Sequence, residues 1–248
     1  MNTDNNEIGF PVKKFTESLW SDELKDIGVD ISEIGLDMLF EDGTLLEGIP
    51  FVKTGVAVAK AAGTIHARFE LKKQLAFLEC IQNGEMEAEG VEKRKRAYEN
   101  NEAWFRKEVE NLVIYLSRYS TVNKARIQAE LYIDLVNGKI KQPLFAECLD
   151  ILDRLFLSDI PHLIEICTVE TEAGVSINDT SFFQGKCTLK FDSIRCGRLA
   201  SVGLLHQLHP MSFGFSIDNY YLISETGKYM CEVISRTFHK DKEIFFNQ

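Results

Sequence analysis

The residues best able to do chemistry lie near the end of this 248-residue chain. His206 and His209, with Cys187 and Cys196 upstream, hold enough nitrogen and sulfur donors for a zinc ion. Zinc sites need ligands at defined separations, and this set fits no finger or ribbon pattern; the two histidines also fall where a strand is expected. Two arginines, Arg195 and Arg198, lie on one expected helix and could reach a phosphate or a base edge. Lys93-Arg94-Lys95-Arg96 forms a second basic run, enclosed by Glu85, Glu87, Glu89, Glu92 and Glu99, which makes it a solvated, salt-bridged helix face. No phosphate-cradling glycine loop, His-Glu-x-x-His or Gly-x-Ser-x-Gly occurs, and no pair of carboxylates is set side by side by spacing. The expected lists of catalytic, cofactor and metal-binding residues are therefore empty, and the expected activity is not enzymatic.

Charge sets a further limit. With 28 Lys and Arg against 38 Asp and Glu, the chain carries −10 at neutral pH. Phosphate and anionic lipid are repelled by such an average surface. From residue 190 to 248 there are seven basic residues against six acidic ones. A DNA reader carries a clear positive surplus, so nucleic acid is disfavoured as a partner. The six cysteines form no Cys-x-x-Cys pair, several sit at apolar positions of helical patterns, and the N-terminus has no signal-peptide core. No run reaches the roughly 18 apolar residues of a spanning helix. Free thiols in a reducing cytoplasm are expected, with no cofactor.

The elements that would position these residues are mainly helical. Residues 1–14 read as a tail, 15–167 as a helical domain, 168–185 as a linker or long loop, and 186–248 as a winged-helix-like domain. In the last of these an apolar helix closes at Gly203, where a residue without Cβ can turn left-handed. A strand starts at Leu204-Leu205, and Tyr220 to Ile223 return as a second. Ser224 then caps a helix with Met230, Val233 and Ile234 at helical spacing. Within the helical part, amphipathic helices are expected after Phe105, from about Val122 to Val136 and from Pro143, and Ser158 is placed to cap another. One long helix or a kinked pair covers 50 to 82, with Pro50 in its first turn. Its face includes Phe51, and Gly55, Ala59 and Gly63 recur every four residues, a stripe of small side chains that lets another helix approach closely. Lys53 and Lys60 lie opposite, as in an interfacial amphipathic helix, although they oppose stable spanning.

Two segments extend this reading. Ala129-Glu-Leu-Tyr-Ile-Asp-Leu-Val-Asn-Gly-Lys-Ile140 leads into Pro143-Leu-Phe-Ala-Glu-Cys-Leu-Asp-Ile-Leu-Asp-Arg-Leu-Phe-Leu-Ser-Asp159, and Leu199 to Leu205 precede Leu222-Ile-Ser-Glu-Thr-Gly227. These resemble the helical middle and winged-helix-like end of abortive-infection alpha-type bacterial proteins and their uncharacterised relatives; Ile49-Pro-Phe-Val52 is similar to a segment of the same relatives. The resemblance covers about 45 to 235 and rests on capping and core positions. It implies bacterial defence against phage, and it brings no catalytic residues. The function expected is thus a non-enzymatic phage-defence protein acting through protein contacts or self-association as an oligomer, with the inner-membrane surface as a further place of action. A winged-helix transcriptional regulator or antitoxin-like partner is the first alternative, and a membrane-permeabilising effector the second.

Overall fold

The computed structural model describes residues 12–21, 31, 35, 50–173, 193–208 and 220–238. Its elements run α1 (Val12–Ser18), α2 (Pro50–Ala62), α3 (Ile65–Asn83), α4 (Ala88–Glu99), α5 (Ala103–Arg118), α6 (Val122–Val136), α7 (Gln142–Arg154), a single 3-10 turn (Leu157–Asp159), α8 (Ile160–Ala173), α9 (Ser193–Ser201), β1 (Leu205–Leu208), β2 (Tyr220–Ile223) and α10 (Glu225–Thr237). The architecture is a helical bundle followed by a small winged-helix-like α+β module. No helix among the described residues is long and apolar enough to cross a membrane.

Two compact units divide the chain, Met1–Ala146 and Glu147–Gln248. The boundary falls inside α7, earlier than the polar stretch 168–185, most of which lies outside the described residues, as does the tail before Val12. Packing explains the shift: Ile160, Leu163 and Ile166 put a buried apolar face on α8, which packs against β2 and α10 and so joins the second unit.

In the first unit α3 and α6 form the centre. Leu75, Phe77, Leu78 and Ile81 of α3 are fully buried, as are Ile127, Leu131 and Tyr132 of α6. A chain of rings crosses this core, with Phe15 stacked 5.8 Å from Phe77, Phe77 6.2 Å from Tyr132, and Tyr132 6.2 Å from Phe145. Each such aromatic side chain contributes on the order of 2–3 kcal/mol by leaving water.

The segment expected as one helix or a kinked pair is two helices, and the small-residue stripe changes accordingly. Gly55 and Ala59 are buried, and a Cβ on Gly55 would meet Leu71 Cδ1 of α3 at 2.4 Å, so this glycine does allow close approach. Gly63 does not. It follows the last residue of α2 with φ +65, is exposed, and has nothing near its missing Cβ. Its left-handed backbone reverses the chain, after which Thr64 Oγ1 accepts the Ala67 N–H at 3.1 Å and starts α3. Phe51 lies in the first turn of α2, and its side chain is outside the described residues.

The second unit follows its expected local signals closely. Strands β1 and β2 pair antiparallel, Leu205 with Ile223 through Leu208 with Tyr220. Gly203 has φ +86. Ser224 caps α10, its Oγ accepting the Gly227 N–H at 2.9 Å while donating toward the Gly203 carbonyl at 2.7 Å. Ser158, expected to cap a helix, lies within the 3-10 turn before α8.

Candidate functional site

A groove of about 900 Å3 belongs wholly to the first unit, between the start of α4, the face of α5 and the turn joining α6 to α7. Three devices set its walls. Gly90 lets α4 touch the end of α6, where a Cβ would come within 2.1 Å of the Val136 carbonyl oxygen. Asn137, which closes α6, accepts the Glu87 N–H at 2.7 Å and donates to the Glu85 carbonyl at 2.8 Å, so one side chain holds the entry to α4. At the other end of α4, Asn101 takes φ 52, a left-handed turn that asparagine tolerates, and α5 begins two residues later.

The floor is a buried ion pair. Arg94 Nε donates to Glu108 Oε1 at 2.7 Å and its Nη2 to Oε2 at 3.3 Å, a two-pronged pairing across α4 and α5. Tyr132 of α6 donates its hydroxyl to Glu108 at 3.1 Å, and the guanidinium lies 5.7 Å from the tyrosine ring centroid. All three side chains are buried. Burial opposes the charge on Arg94, but the hydrogen bond it donates to Glu108 and the charges of Tyr132 and Glu108 outweigh that and raise its pKa above the ordinary arginine value. Burial, and then the Glu108 charge, push the Tyr132 phenol well above the usual tyrosine range, with Arg94 acting the other way. The three groups satisfy one another, which makes the floor a fixed, internally paired plate.

Above the floor the groove presents Trp104, 40% exposed, with its Nε1 donating to Glu102 at 2.5 Å and its ring edge-on to the buried Phe105 at 5.8 Å. Lys93 Nζ stands 5.7 Å from the Trp104 ring centroid. Lys107 and Lys141 are exposed on the walls, and Asn111 and Gln142 add amides. The run Lys93–Arg96 is thus split by the fold. Arg96 pairs with Glu92 on the exposed face at 3.2 Å, as expected, but Arg94 turns inward. The signal for this was present in the pattern, since Glu108 falls on the stripe Phe105, Val109, Leu112, Leu116, where α5 is otherwise apolar.

The residues singled out for nucleic acid lie in the second unit and are used differently. Arg195 is exposed on α9. Arg198 grips the buried Asp159 with both arms of its guanidinium, Nε to Oδ2 at 2.7 Å and Nη2 to Oδ1, and stacks 5.4 Å from the Phe156 ring. A crevice of about 50 Å3 adjoins this pair, room for little more than water. The helix expected to read DNA therefore spends one of its two arginines on its own unit. Of the four zinc donors, two are described. His206 is exposed on β1, while Cys196 is buried with Sγ 3.5 Å from His162 Nε2; His209 and Cys187 lie outside the described residues. Among the described residues no group of three His, Cys, Asp or Glu is placed to hold a metal. No family model, curated protein or solved structure matches the chain.

Proposed function

We propose that this chain is a non-enzymatic, cytoplasmic phage-defence protein of the abortive-infection kind, working through contacts with another protein or with copies of itself, and that the groove of the first unit is its contact surface. The setting is supported by the resemblance of residues 129–159 and 199–227 to abortive-infection alpha-type proteins. The surface is supported by one observation above others: Trp104 stands half out of the protein over the paired Arg94–Glu108–Tyr132 floor. A large aromatic ring held on a rigid base is the kind of anchor that dominates protein interfaces. Ordering the floor costs nothing on binding, because its charges are already paired. The regulator reading has less support, since Asp159 occupies Arg198. The permeabilising reading requires α2 to leave α3, where Val52 and Ala59 are buried and Gly55 meets Leu71.

Phage plating on cells carrying the wild-type chain or Trp104→Ala tests this, with the native mass of both purified proteins. Removing the ring should abolish protection and shrink the assembled particle while leaving the melting temperature within a few degrees of wild type. Full protection by the variant would remove the groove as the contact surface. No protection by the wild type against any phage of a broad panel would remove the defence setting.

A further inference from the structure

We infer that the groove takes an acidic peptide segment of a partner protein, with carboxylates flanking an aromatic or aliphatic side chain. The inference rests on the groove being the contact surface and adds the chemistry of what fills it. Its first support is the state of the cations. Lys107 and Lys141 are exposed and make no ion pair among the described residues, and Lys93 meets only the Trp104 ring. In a chain with ten more acids than bases, a lining with four cations (Lys93, Arg94, Lys107, Lys141) against three carboxylates (Glu87, Glu89, Glu108) is a slight local reversal of charge, carried by the three lysines.

The neighbouring acids offset part of it. Glu108 is paired with Arg94 and Tyr132, and Glu102, outside the lining, keeps its charge while accepting from the neutral Trp104 indole. Glu87 and Glu89 remain on the wall at the start of α4, where they suit the positive end of that helix. The site is therefore a patterned surface rather than a uniform positive field, and it rewards carboxylates spaced to meet the lysines.

The second support is the match to a peptide backbone. Asn111 and Gln142 each offer an amide donor and an amide acceptor, the complement of a peptide group, and Trp104 offers one apolar contact between the cations.

Titration of the full-length chain with a fluorescein-labelled, acetylated heptapeptide alternating Glu with Phe tests the inference. The comparison probes are the same peptide with Gln in place of every Glu, one with Lys in place of every Glu, ATP, and a short single-stranded DNA. Saturable binding of the acidic peptide alone is expected, weakened by 1 M salt, where the screening length is about 3 Å. Lys107→Glu/Lys141→Glu should weaken it about tenfold, since two attractive contacts become repulsive. Lys107→Gln/Lys141→Gln should weaken it less, and Lys53→Glu on the exposed face of α2 should leave it unchanged. Equal binding of the Gln peptide, indifference to both lysine double variants, no saturation by the acidic peptide, or competition by ATP or DNA would each overturn the acidic-peptide assignment. If protection still depends on Trp104 in that event, the contact surface stands and only its partner chemistry falls; if that dependence fails too, the groove itself is the wrong site.

Discussion

Removing one member of the buried Arg94–Glu108 pair should destabilise the first unit far more than removing both. Glu108→Leu deletes two hydrogen bonds from Arg94 and one from Tyr132, and it leaves a guanidinium buried without a counter-charge. Breaking such a pair costs about 3–5 kcal/mol. Arg94→Met should cost a similar amount, because Glu108 is then left buried with only the Tyr132 hydroxyl. In Arg94→Met/Glu108→Leu no unpaired charge remains. The residual penalty is the orphaned hydroxyl, on the order of 1–3 kcal/mol. Adding Tyr132→Phe removes that as well, so the triple variant should approach wild type or exceed it.

Both tryptophans, Trp20 and Trp104, belong to the first unit, so their fluorescence follows its unfolding by urea without contribution from the second. With a slope of about 2 kcal/mol/M, the single variants should lower the midpoint by roughly 1.5–2.5 M and the double variant by less than either. Two results would refute the reasoning. Midpoint losses that simply add in the double variant would mean that the two groups do not interact. A shift below about 0.5 M for Glu108→Leu would mean that water reaches the pair and that the floor is not the rigid plate described above.

Two further outcomes follow from the packing and from the thiols. Gly90→Ala and Gly227→Ala should each cost more than about 1–3 kcal/mol in thermal or urea unfolding, because a Cβ would meet a backbone oxygen (Val136 at 2.1 Å, Leu204 at 2.2 Å), whereas Gly55→Ala should cost less because only the tip of Leu71 must turn aside. Desolvation pushes the Cys148 thiol up from 9.0 to about 12, the Glu147 charge adding to it, so the folded chain holds that proton while the unfolded chain releases it; stability should be complete below pH 9 and fall by about 1.4 kcal/mol per pH unit toward 12, and urea midpoints across that range should decline less steeply in Cys148→Ala.

How much of this was legible depends on how local each signal is. The limits of α6 and the helix, strand, strand, helix order of the second unit follow from caps and turns within a few residues. Asn137-Gly138, Gly203 and Ser224 each need only their own neighbours to act. Gly63 shows where local reading divides. Placed four residues after Ala59 it continues a packing stripe, and placed before Thr64 it is the reversal ahead of a cap. Only the second satisfies the first amides of α3. The site was less legible for a different reason. Arg94 and Glu108 are fourteen residues apart, and their pairing exists only after α4 and α5 fold back on each other while Gly90 seats α4 against α6.

The fate of the basic residues ties these observations together. Arg94 and Arg198 were prominent in the sequence as groups able to reach outward. Each instead closes a two-pronged pair with a buried carboxylate, one in each unit, and lies against an aromatic ring. The planar guanidinium suits that use, since it presents parallel donors and is less strongly hydrated than an ammonium. Lysine is not barred from the interior, since Lys73 is buried, pairs with Glu70 at 2.7 Å and donates to the Tyr119 carbonyl at 2.7 Å. On the groove, however, Lys93, Lys107 and Lys141 carry the outward charge, above a floor that an arginine has fixed. On this groove, internal pairing falls to Arg94 and the outward charge to the three lysines, which are where a partner's carboxylates would be met.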